Sequence, residues 1–419
     1  MISQRTATVV WTLALLVAAV GTAEAAEPQV VWKADIGARV YTSPLTCDLL
    51  PSPGLETVVC ASETRRVVCL SAAGVTMWSF GEGFSRRLTS TPSAADLDDD
   101  GKLEIVVAGG GGNLVCLGSN GALRWRLQLE GGVDWSAPVI ADLDGDGTLG
   151  VVVGTGGGVL YRLAADGSVV WQTKLDGGVS SLLSVADVNG DGRKEIIVPV
   201  ARSVVCLDAA GETVWEFAGH AECNGVSVAD VDADGRPEIL AAYDDQVLCC
   251  LDASGARKWA YHGGYAGGGS ASFMPPSVAD LDGDGEVEIV FADSNGTVRC
   301  VDGAGSERCY FTAGSSAGDQ PVIGDVDGDG EAEVIVGFED GSLVCLDDAP
   351  AVEWRYMTEF RSPYPGLADL DGDGRVEVIA TSNDNYVYCL RPPAGKASGR
   401  LPWPMRRLDP QQSAALESR

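Results

Sequence analysis

The sequence is short of three things. It has two histidines, His220 and His262, in 419 residues. It has 29 Lys and Arg against 60 Asp and Glu, a formal net charge of −31. Beyond the first 25 residues it has no apolar run near the roughly 20 residues that a membrane-crossing helix needs. The charge balance disfavours nucleic acid, whose binding rests on Lys and Arg neutralising phosphate. No nucleophile elbow, zinc-ligand spacing or phosphate-binding Walker loop is present. Helical periodicity is missing too. Short runs of alternating apolar and polar residues, separated by Gly and Asp turns, read as strands throughout.

What the chain does have is a nine-residue stretch that it repeats. Asp280-Leu281-Asp282-Gly283-Asp284-Gly285-Glu286-Val287-Glu288 puts carboxylates at positions 1, 3, 5 and 9 and Gly at 6. Alternate spacing lets short Asp side chains converge, and Gly285 takes a turn that a Cβ would hinder. A hard cation such as Ca²⁺ takes about six to eight oxygen ligands, which carboxylates, a backbone carbonyl and water supply. The stretch starts at Asp96, Asp142, Asp187, Asp230, Asp280, Asp325 and Asp369, in steps of 43 to 50 residues. One acidic turn would mean little, since Asp and Gly favour turns without any metal. Seven in register predict about seven Ca²⁺ sites. They also explain the acidity, holding 26 of the 60 acidic residues.

Each unit carries four strand signals, with the acidic loop between the first and second. An aromatic recurs in the fourth: Trp78, Trp125, Trp171, Trp215, Trp259, Tyr310 and Trp354. Trp32 belongs to the same series but precedes the first full unit, while the last unit ends after its third strand near Leu390. The N-terminal strand can therefore complete the last sheet and close a ring without open edges. Four strands per roughly 45 residues is the period of a propeller. The expected fold is all-β: an eight-bladed β-propeller of four-stranded blades over residues 26–391. Seven blades is the alternative if the degenerate first copy, at Asp48, is not a full blade.

Residues 1–25 read as a secretory signal, with Arg5, an apolar run from Ala7 to Val20 and Ala23-Glu24-Ala25 as cleavage site. The expected location is secreted or periplasmic. Twelve cysteines would then suggest disulfides. However, Cys69, Cys116, Cys206, Cys250, Cys300, Cys345 and Cys389 share one repeat position, with Arg162 there in the third unit. Equivalent positions on stacked sheets lie at least about 10 Å apart, beyond the roughly 7 Å Cα limit of a disulfide. They read as buried apolar residues; Cys60 and Cys69 are the nearest expected pair, and Cys249-Cys250 reads as ordinary strand. Residues 392–419 leave the pattern and read as a docking tail, with Pro402-Trp403-Pro404-Met405 packing over the ring.

The Asp-x-Asp-x-Asp-Gly-x-x-Glu loops resemble FG-GAP or VCBS repeats of the kind in integrin α propellers. Stretches such as Val204-Val205-Cys206-Leu207-Asp208-Ala209-Ala210-Gly211-Glu212-Thr213-Val214-Trp215 also resemble the PQQ-binding-protein-like propeller repeat. The resemblance covers residues 29–391 and implies Ca²⁺ ligands at Asp96, Asp98, Asp100 and Glu104; Asp187, Asn189, Asp191 and Glu195; and Asp230, Asp232, Asp234 and Glu238. It implies further sets at Asp280, Asp282, Asp284 and Glu288; Asp325, Asp327, Asp329 and Glu333; and Asp369, Asp371, Asp373 and Glu377. The third unit keeps Asp142, Asp144 and Asp146 but has Gly150 at position 9, so a weaker site is expected. The first keeps only Asp48 and Glu56, and no metal is expected there.

Such propellers include adhesion receptors, lectins and polysaccharide lyases, so the fold does not decide function. The loops joining successive blades carry Arg86, Arg87, Trp135, His220, Glu222, Tyr261, His262, Tyr265, Phe360, Arg361 and Tyr364. Such loops on a rigid frame are where binding residues gather. The expectation is a monomeric binding or adhesion module taking a glycan or protein on the face opposite the calcium loops. The alternative is a carbohydrate-active enzyme such as a polysaccharide lyase. Its base and its carboxylate-stabilising groups would come from His220, His262, Arg361 and Tyr261.

Overall fold

A computed structural model describes residues 27–133, 135–179, 181–264, 272–393, 401–405 and 415–416. The signal-like segment, Tyr265 and most of the tail lie outside these. The strands form eight sheets, each an antiparallel meander of four consecutive strands, save that blade eight takes its fourth from the other end of the chain. That strand, Gln29–Asp35, pairs with Tyr386–Arg391 and sets Trp32 opposite Cys389. Eight blades are present, the degenerate first unit included.

First strands are fully buried and those of neighbouring blades touch each other, so they line the axis. Fourth strands alternate between exposed and half-buried and form the rim. The apolar core lies in the seams between blades, because each sheet is buried on both faces by its neighbours. Cys249 and Cys250 show the alternation: one packs into the seam with blade four, the other into the seam with blade six.

Six seams share one device. The rim indole donates its Nε1–H to a carbonyl in the next blade's turn between third and fourth strands, as in Trp215 to Ala253 at 2.9 Å and Trp259 to Gly303 at 2.9 Å. Its ring lies on the turn glycine: at Gly255 (φ 79°) a Cβ would come within 2.6 Å of Trp215. Two seams differ. Trp354 is 1% exposed and its Nε1 has no acceptor among the described residues. The next blade's corresponding turn is where the chain ends meet, so the carbonyl is not supplied. In blade six the residue opposite Cys300 is Cys309, not Tyr310. The expected aromatic sits one residue further on, on the other face, 61% exposed.

Trp403 exchanges both backbone hydrogen bonds with Ile323 of blade seven's first strand, at 2.8 and 3.1 Å, and Leu367 of blade eight's donates to Pro404 O at 2.6 Å. Met405 joins the core of blades one and two, and Ala415–Leu416 pair in parallel with Val228 and Ala229 of blade five. The described tail residues 403–404 and 415–416 thus bond to axial strands.

Candidate metal centres and a cleft between blades three and four

The acidic loops share a built geometry. Position 1 spends its carboxylate on backbone: Asp96 accepts from Asp100 N at 3.0 Å and from Gly101 N at 2.8 Å. Positions 4 and 6 are both left-handed. Position 6 is always Gly, whereas position 4 is Asp99 (φ 58°) in one loop and Ala233 (φ 57°) in another. The terminal glutamate opens the second strand, is buried, and accepts the position-2 amide with one oxygen, as from Leu97 to Glu104 at 3.1 Å and from Leu281 to Glu288 at 3.0 Å. Its other oxygen is left for the loop.

Five loops bring three carboxylate oxygens within 4.8 Å of one another: Asp96, Asp98 and Glu104; Asp230, Asp232 and Asp234; Asp280, Asp282 and Glu288; Asp325, Asp327 and Glu333; Asp369, Asp371 and Glu377. Such all-oxygen sets fit a hard divalent cation. In the other four of these loops position 5 turns to the loop backbone, as Asp284 does in accepting from Glu286 N at 2.8 Å, whereas Asp234 joins its trio in place of the glutamate. Burial, reinforced by neighbouring Asp charges, pushes Glu195 up to about 7 and Glu333 up to about 8. A cation at the loop would favour the ionised form of these carboxylates.

Three cages already contain a basic side chain. Arg124 lies 2.9 Å from Glu104 and 3.4 Å from Asp98, Lys258 reaches Asp232 and Glu238, and Arg391 reaches Asp371 and Glu377. The loops at Asp142 and Asp187 form no such carboxylate trio. In the fourth unit Asn189 turns its amide nitrogen to Glu195, 2.9 Å away. In the third, Arg162 donates to Asp144 at 2.5 Å and to Ala209 O at 3.1 Å. In the first unit Ser52 donates to Glu56, at 2.5 Å, on the oxygen the loop would need.

On the opposite face, the four residues of the catalytic alternative do not converge. His220 and Arg361 are exposed on two different blade-joining segments and His262 is exposed at the end of blade five's fourth strand, and no hydrogen bond or ion pair among the described residues links any two of them. Tyr261 faces inward. It donates to Glu307, receives from Arg299 at 3.3 Å, and packs on Phe273 and Phe291. Burial first, then Glu307, pushes its phenol up to about 12. It ties blade five to blade six.

A larger hollow lies on the metal-loop face. A cleft of about 550 Å³ between blades three and four is lined by Arg162, Asp144, Trp171, Asn189, Arg193 and Glu195. Val170 and Val214, 54% and 56% exposed, flank it. Sequence reasoning placed the ligand on the opposite face and did not single out this cleft. The available signal was the pair of departures in unit three, Gly150 and Arg162, which opens one wall.

Fold and loops together define a class: an eight-bladed β-propeller with metal-type acidic loops. The chain is, more particularly, a propeller of FG-GAP-like repeats, whose family model matches residues 96–153, 230–291 and 280–336. A second model, the lambda-carrageenase beta-propeller domain, matches residues 150–226. No curated protein matches the chain in sequence. Among solved structures, BamB from Moraxella catarrhalis is 17% identical with a TM-score of 0.60, covering 87% of this chain and 98% of that one. The V. cholerae biofilm matrix protein Bap1 is 14% identical with a TM-score of 0.67, over 87% and 91%. The rhamnogalacturonan lyase of Bacillus licheniformis is 17% identical with a TM-score of 0.59, over 90% and 76%. At these identities the likeness is one of fold.

Proposed function

We propose that this protein is an exported, calcium-stabilised propeller that binds a polysaccharide in the cleft between blades three and four. One observation carries the reading: the segment similar to the lambda-carrageenase propeller, 150–226, supplies every lining residue of that cleft except Asp144. The lining suits a saccharide. Arg193, Asn189 and Asp208 offer donors and acceptors for hydroxyls or anionic substituents, and exposed valines offer apolar contact to a sugar face. The loop-four ligands Asn189, Asp191 and Glu195 stand in the wall, so an ion held there would lie beside the ligand. A binding role is favoured over catalysis because the candidate acid–base residues are dispersed. The signal-like first 25 residues support export.

The test is a polysaccharide array that includes λ-carrageenan and rhamnogalacturonan, read with wild type and with Arg193→Glu, an exposed change that leaves the seams intact. Calcium-dependent capture of a polysaccharide that the variant loses by tenfold or more is the expected result. Equal capture by both proteins, or none by either, overturns the reading. Turnover of a captured polysaccharide would replace the binding role with an enzymatic one.

A further inference from the structure

Blade six and the turn facing it in blade seven depart from the repeat together. Cys309 stands where the other rims carry tryptophan, directly opposite Cys300. Across the seam, Pro350 (φ 21°) stands where the other turns carry the glycine on which the indole lies. Neither half of the indole–glycine device is present, and a cavity of about 20 Å³ remains, lined by Cys300, Cys309, Asp347, Asp348 and Pro350. That is room for about one water molecule.

We propose that Cys300 and Cys309 are a thiol–disulfide site, and that their cross-strand disulfide ties the third and fourth strands of blade six together beside the seam that lacks the indole. Residues directly opposite on antiparallel strands hold their Cβ atoms about 4.5–5.5 Å apart, close to disulfide range. That placement sets the two thiols against each other: their mutual interaction holds Cys309 below the ordinary thiol range and, with burial, pushes Cys300 up. Among the twelve cysteines Cys309 alone is not fully buried, so it is the one an external reagent reaches. Other cysteines are not so placed. Cys60 faces Val67, not Cys69, which faces Val58.

The chemistry needs an external disulfide. The Cys309 thiolate attacks one of its sulfurs, forming a mixed disulfide and releasing one thiolate. The Cys300 sulfur then attacks Cys309, closing the intramolecular bond and releasing the second thiol. Two protein thiols are oxidised, one external disulfide is reduced to two thiols, and the two protons leave with those products. The proposal is independent of the glycan reading.

The experiment treats the folded full chain with oxidised glutathione, then alkylates, denatures and digests with trypsin without reduction. Trypsin cuts after Arg299 and Arg308, which places the two cysteines on separate peptides. The expected result is a linked pair of peptides beginning at Cys300 and at Cys309, with two fewer alkylatable thiols. Cys309→Ser should abolish the link and keep all remaining thiols alkylatable except for one glutathione adduct at Cys300 at most. Recovery of the Cys300 peptide singly alkylated and of the Cys309 peptide, which also holds Cys345, doubly alkylated, or a link from Cys300 to any other cysteine, overturns the proposal. Circular dichroism of Cys309→Ser confirms that loss of the link is not loss of the fold. If the variant unfolds, Cys300→Ser serves in its place.

Discussion

Arg162 Nη2 lies 2.5 Å from Asp144 Oδ2, in the one metal-type loop that has lost its terminal glutamate. The two departures of unit three are linked in space. Gly150 removes the carboxylate, and a Cβ there would lie 3.8 Å from Arg162 Nε. Arg162 replaces the small cysteine of the repeat beneath that position and extends a guanidinium into the loop. Arg162 thus places a basic group in the third loop, where sequence reasoning expected a weaker Ca²⁺ site of Asp142, Asp144 and Asp146; what sets this loop apart from those holding Arg124, Lys258 or Arg391 is the missing carboxylate trio.

Restoring the repeat should restore a site. Gly150→Glu combined with Arg162→Cys should raise the bound Ca²⁺ per chain by one, measured by calorimetric titration or elemental analysis. Arg162→Ala alone should lower stability by about 1–3 kcal/mol, since charge-assisted bonds to Asp144 and Ala209 O are lost, without adding a site. An unchanged stoichiometry in the double variant counts against this account of the loop.

The buried glutamates predict a pH dependence of the metal-stripped protein. Glu195 and Glu333 rise from the ordinary carboxylate value to about 7 and about 8, chiefly through burial. Their folded pKa is above the unfolded one, so the native state binds more protons over this window and stability falls as pH rises. Between pH 5 and pH 8, in metal-free buffer, the loss from the two together should be on the order of 6 kcal/mol. Calorimetry on stripped protein checks it. With Ca²⁺ present the fall should vanish, because the ion binds the deprotonated form. A stripped protein that gains stability over that range is inconsistent with these carboxylates.

Much of the fold was legible because the repeat is regular. A 45-residue period, one cysteine and one aromatic per unit, and the phase offset of Trp32 define eight blades and their closure. What stayed hidden depends on contacts between units. An aromatic one residue late, Tyr310, read as the rim residue, since a one-residue slip is invisible until the strands are paired. The left-handed position 4 is carried by Asp99 and Ala233 as well as by Gly, so residue type does not mark it. Arg162 was noticed only as a missing cysteine. Its partner, Asp144, is 18 residues away and reached only through the hairpin.

The tail gives a stability prediction. Trp403 is fully buried among residues of blades five, six and seven and bonded to Ile323. Trp403→Ala should cost about 3–5 kcal/mol, the range for deleting a buried large side chain, read as a lower denaturant midpoint. Removing residues 392–419 should cost at least as much. A truncated chain as stable as the whole would show that the tail contributes nothing at the axis.

The most direct test of the central claim, that the acidic loops hold calcium, is the melting temperature of the full chain in chelator and in millimolar Ca²⁺ at pH 7.5. Each site filled at a hundred times its dissociation constant contributes about 2.7 kcal/mol. Five such sites predict a rise on the order of 10 °C or more on adding Ca²⁺. Coincident melting curves in the two buffers would contradict the account and leave the loops as plain acidic turns.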